Sequence, residues 1–177
     1  MTASRKRAKS RHVEVERIAV RVAIDGNVAG EATSDIAAYA FIHYASEFLE
    51  AGEHLPPSAA PFSSVRCYLA CRPIELALKA FLSLKGASMA DMAQHYGHSL
   101  VKLLAGAEQA GLDSVIALSP EEKQQIAAAS SYYNEKVFEY PSIIEALHGY
   151  PDKPDVAMLM HTARSLVDTL HPLCLEA

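Results

Sequence analysis

The chain has 177 residues, half of them hydrophobic and none of them Trp, which allows one domain with a full core and is too short for two ordinary ones. The formal charge of −5 hides an asymmetry, because Arg5, Lys6, Arg7, Lys9 and Arg11 hold five of the sixteen basic residues. From His12 onward eleven basic residues face twenty-one acidic ones, a body poorly suited to binding nucleic acid over a broad surface.

No apolar core follows the basic N-terminus, as a signal peptide would need, and no apolar run reaches the ~20 residues of a membrane helix. Cys67, Cys71 and Cys174 are an odd number, which fits reduced thiols in a cytoplasm.

Residues 1–12 read as a disordered basic tail and residues 13–33 as an N-terminal extension. Within it, residues 13–24 (VEVERIAVRVAI) are rich in β-branched side chains and precede Asp25-Gly26-Asn27, favouring a short strand and turn over a short helix. Thr33, Ser34 and Asp35 are cap residues for a helix over 36–50, with Ile36, Tyr39, Ala40, His43, Tyr44 and Phe48 at helical spacing and Gly52 as its stop. A Pro-rich connection, Pro56-Pro57 to Pro61, leads to the stretch around which the chain is organised, residues 65–86 (VRCYLACRPIELALKAFLSLKG). Between Ile74 and Leu84 the only charged side chains are Glu75 and Lys79, so this helix must be wrapped by others. Pro73 is expected to kink or split it, and Gly86 to end it.

Gly97-His98-Ser99 opens an amphipathic helix closing at Gly111. Ser119-Pro120-Glu121-Glu122 is a start signal, with a Ser cap, Pro at the first helical position and acids against the helix dipole. A long loop over 140–153, with a helical turn at 143–147, separates that helix from a last one, which starts at Asp155 and ends at Pro172. The expectation is an all-α, up-down bundle of four to five main helices over residues 34–177.

The strings RPIELALKAFLSLKG, YGHSLVKLLAGAEQAGL, and LSPEEK leading to YYNEKVFEYP resemble the HEPN superfamily of small helical bundles, often found in defence and toxin–antitoxin systems. The match spans roughly residues 34–175. These blocks are helix formers and core residues, so they speak for architecture more than for activity.

The resemblance implies one catalytic arrangement. Active HEPN proteins are metal-independent RNases with an Arg and a His separated by four to six residues, two copies meeting across a dimer. Arg164 and His171, with six residues between them, fit that spacing and share a helical face. His171 would act as general acid or base on a ribose 2′-OH, and Arg164 would hold the scissile phosphate. Against this, Ser165 stands where Asn, Asp or His is more usual, and Pro172 follows His171 directly. Both side chains also suit a helix C-terminus with no chemistry at all.

Other constellations are weaker. His95 and His98 with Cys67 and Cys71 have metal-site spacing, but the cysteines sit among apolar residues and His98 reads as a helix cap, so neither metal nor cofactor is expected. Arg72, Glu75 and Lys79 read as a surface ion-pair ladder in preference to a ligand-facing patch. Tyr132, Tyr133 and Tyr140 with Phe138 read as a lid on the core in preference to a base-stacking platform.

Three functions are expected on these grounds. The favoured one is a non-catalytic interaction or nucleotide/RNA-associated module, a homodimer working beside a nucleotidyltransferase-type or antitoxin partner and away from membranes. The others are an RNase using Arg164 and His171, and a plain dimeric scaffold.

Overall fold

A computed structural model describes residues 31–56, 62–140, 143 and 152–176. All regular structure among them is helical. The helices are α1 (Glu31–His54), α2 (Ser64–Leu84), a short α3 (Met89–Asp91) running into a π-turn (Met92–Tyr96), α4 (Leu100–Gln109), α5 (Pro120–Asn134) and α6 (Val156–Glu176). The expected all-α bundle is observed. The strand expected over 13–24 lies outside the described residues, as do the tail and nearly all of the helical turn at 143–147.

Sequence spacing explains which faces are buried. On α1, Ala38, Ile42, Ala45 and Leu49 recur at three- and four-residue steps and are fully or almost fully buried. On α6 the buried stripe is Leu159, Ala163, Leu166, Leu170 and Cys174. Every residue of α2 from Pro73 to Ser83 is buried. That helix packs against α1, α4, α5 and α6, the wrapped centre its composition requires. Ile74, Leu78 and Phe81 are essentially inaccessible, and each such side chain contributes roughly 1.5–3 kcal/mol by leaving water.

Helix starts reflect local chemistry. Ser63, Ser88, Ser99 and Ser119 each accept a backbone N–H of the first turn, and Ser88–Asp91 and Ser119–Glu122 form reciprocal capping boxes. Asp155 Oδ1 accepts from the amides of Ala157 and Met158 at the start of α6.

Four boundaries differ from expectation. Helix α1 begins at Glu31 and takes in Thr33–Asp35. It also runs through Gly52 to His54, and there the missing side chain serves packing: a Cβ would stand 3.0 Å from Met160 Cε and 3.4 Å from Leu69 Cβ. Pro73 does not split α2, since packing on all sides outweighs the lost backbone hydrogen bond. Pro172 lies inside α6, which reaches Glu176 and buries Cys174 beyond it.

Candidate functional site

Two polar sites stand out. The first is a groove of about 310 Å³ where α1 faces α6, lined by His43, Glu47, Glu50, Arg164, Asp168 and His171 among others. It brings together the two residues singled out by spacing. Arg164 donates through Nε to Glu53 Oε1 at 2.9 Å and through a second nitrogen to Glu53 Oε2, and Asp168 lies 3.6 Å from its Nη1. Its guanidinium is therefore engaged by carboxylates on both helices, and the Glu53 hydrogen bond leads in raising its pKa.

The second site lies over α2, and sequence spacing understated it. Tyr68, Arg72, Glu75 and Lys79 fall on one face of that helix at steps of four, three and four. Glu75 is wholly inaccessible and Lys79 nearly so, so the expected surface ladder is in fact a buried network. Glu75 Oε1 accepts from Lys79 Nζ at 2.6 Å and from His98 Nδ1 at 3.0 Å. Its Oε2 accepts from Arg72 Nη1 at 2.9 Å and from the Tyr133 hydroxyl. An ionised carboxylate only accepts, so His98 carries its proton on Nδ1.

Burial alone would raise the Glu75 pKa. The Lys79 and Tyr133 hydrogen bonds and the charges of Lys79 and Arg72 outweigh it and hold the group below its ordinary value. Tyr133 moves the opposite way, pushed up by burial and then by the Glu75 charge. Burial opposes the charge on Arg72, but the Glu75 charge, the Tyr133 hydrogen bond and the Tyr133 and Tyr68 hydroxyls together outweigh it and its pKa rises.

Two turns deliver the groups that α2 does not carry. Gly97 adopts φ 56°, a conformation glycine takes without penalty, and sets His98 just before the Ser99 cap of α4. This replaces the expected capping role of His98. At the end of α5, Lys136 N–H donates to Tyr133 O and Val137 N–H to Tyr132 O, the paired bonds of a Schellman closure. The left-handed residue is Lys136, at φ 60°. The equivalent closure of α2 places Gly86 there, at φ 88°. Above the buried carboxylate is a cavity of about 200 Å³ lined by Tyr68, Arg72, His98, Tyr133, Lys136 and Glu139.

The remaining candidates separate. Cys67 and Cys71 are buried free thiols, and burial pushes Cys67 up to about 12. His95 Nδ1 faces the Asp91 carbonyl oxygen instead of the cysteines. Among the described residues no group of three His, Cys, Asp or Glu is placed to hold a metal ion. Tyr133 and Phe138 are buried as a lid would be, whereas Tyr140 is exposed. No described helix is long and apolar enough to cross a membrane.

No family model matches the chain, and no curated protein or solved structure matches it either.

Proposed function

We propose that the chain is a HEPN-like helical domain acting as a non-catalytic interaction or nucleotide/RNA-associated module, in a toxin–antitoxin or defence setting. One observation supports the non-catalytic reading above all. Arg164, which would have to hold a scissile phosphate, is paired with Glu53 and flanked by Asp168, in a groove that also carries Glu47 and Glu50. A phosphate entering there meets carboxylates first and must displace one to reach the guanidinium.

One observation favours the RNase as a second reading: Arg164 and His171 line the same groove. For that chemistry a second copy must close the site and Arg164 must exchange Glu53 for phosphate.

Incubating a mixed RNA pool with the full chain in EDTA, beside the His171→Ala variant, separates the two. The module reading expects no cleavage, or cleavage the variant retains. Cleavage that vanishes in the variant, with helical content and oligomeric state intact, would overturn it in favour of the RNase.

A further inference from the structure

The cavity over Glu75 lies apart from the α1–α6 groove, and the function proposed above leaves its groups unused. We propose that it binds a small organic oxyanion, the terminal carboxylate or phosphoryl group of a small molecule, received by Arg72, His98 and Lys136. This goes beyond the module reading and stands independently of it.

The charges around the cavity favour an anion. Arg72, Lys79 and Lys136 outnumber Glu75 and Glu139, and Glu75 is already saturated by four donors. The charged side chains that line the cavity are then Arg72 and Lys136 against one carboxylate, the exposed Glu139. The Arg72 side chain is 27 % accessible and is held from behind by Glu75 and by the Phe48 ring, 5.7 Å from the guanidinium carbon. Such a guanidinium loses little freedom on meeting an oxyanion. His98 is fixed the same way. With Nδ1–H directed at Glu75 and 55 % of the side chain accessible, its Nε2 has no partner among the described residues and meets a ligand oxygen through one proton, carried by ring or ligand.

Lys136 supplies the independent sign of a site. A left-handed lysine at a helix closure costs stability where glycine would cost little, and backbone strain of this kind gathers where a side chain is needed in one place. Here the lysine lines the cavity.

Size narrows the ligand. About 200 Å³ is below the roughly 300–1,000 Å³ of pockets that enclose drug-sized molecules, so the ligand enters by its charged end. Tyr68 and Tyr133, ring centroids 5.9 Å apart, offer an aromatic wall to the body of the ligand behind that end. Glu139 at the margin suits a hydroxyl or amine on the same body and disfavours a second anion.

The test is an NMR titration of histidine ring signals in the full chain with inorganic phosphate and, separately, with succinate, up to concentrations on the order of tens of millimolar. The signal absent from a His98→Gln variant should move saturably. Response to phosphate alone assigns a phosphoryl ligand, and response to succinate alone a carboxylate. Lys136→Gly should weaken binding by about two- to fivefold, the effect of one exposed charge, while its thermal midpoint holds or rises. No saturable movement with either anion would overturn the proposal, as would undiminished binding by Lys136→Gly. Neither outcome bears on the RNA assay of His171.

Discussion

His98 and Glu75 are 23 positions apart in the chain and 3.0 Å apart in space, Nδ1 to Oε1. That contact ties the loop before α4 to the centre of α2. With the Tyr133 hydroxyl it makes one buried carboxylate the meeting point of two helices and the loop before α4. A buried charge is tolerated only when paired and hydrogen-bonded, so the network should behave as a unit.

Removing its centre should therefore be costly. Glu75→Ala leaves Lys79 and Arg72 as uncompensated cations in a buried setting, with an expected loss of about 3–5 kcal/mol. Urea unfolding of the variant, read by far-UV circular dichroism, measures it. A loss below about 1 kcal/mol, in the range of exposed ion pairs, would mean the network contributes no more than a surface ladder.

The same residue sets an acid dependence. The folded-state pKa of Glu75 lies below its ordinary value of 4.5. Its contribution is thus fully present above that ordinary value and is lost as pH falls through the lowered folded one. Glu122, which burial would raise but Ser119 and Thr162 hold down, acts in the same direction. Urea midpoints should fall on going from neutral pH into the acid range, and Glu75→Gln should flatten that fall. An unchanged profile in the variant would assign the acid dependence to other carboxylates.

Arg164 offers a contrast. Its pairing with Glu53 is largely exposed, 43 % and 34 % by side chain, so water and salt screen it. Arg164→Ala should cost at most about 1 kcal/mol, and added salt should narrow the gap from the unaltered chain. A loss several times larger would make the pair a structural clamp on α1 and α6.

Gly106 in α4 should resist even alanine. A Cβ there would stand 2.5 Å from Tyr96 Cε1 and 2.8 Å from its hydroxyl. The better helix propensity of alanine, worth about 1 kcal/mol, is then offset by displacement of the ring, and overpacking of this kind costs about 1–3 kcal/mol. Gly106→Ala should destabilise, and Tyr96→Ala in the same chain should recover part of the loss through their coupling. Additive losses would remove Tyr96 as the cause.

The thiols should be silent in the folded state. Burial pushes Cys67 and Cys174 up to about 12, and Cys71 well above its ordinary value, so the reactive thiolate is scarce near pH 8. All three should react with a thiol reagent only in denaturant. Rapid labelling of the native chain would show local opening around α2 or α6.

Much of the architecture is legible along the chain because its causes are local. Apolar steps of three and four mark α1 and α6, an almost uninterrupted apolar run marks α2 as the centre, and Ser119-Pro120 and Asp155 open helices by capping their own first turns. Gly52, Pro73 and Pro172 mislead for the opposite reason. Each is a breaker by its own conformational preference, and each is overruled by packing with residues distant in sequence, such as Met160 against Gly52.

The candidate site divides along the same line. The spacing of Arg164 and His171 places them on one face of one helix, but their carboxylate surroundings come partly from α1. Arg72, Glu75 and Lys79 are equally visible as an ion-pair pattern, whose side of the helix that pattern leaves open. Only the tertiary structure buries Glu75, delivers His98 and Tyr133 to it from two other segments, and sets Lys136 over the resulting cavity. A carboxylate acquires partners when folding removes its water, and which donors replace that water depends on how the helices pack.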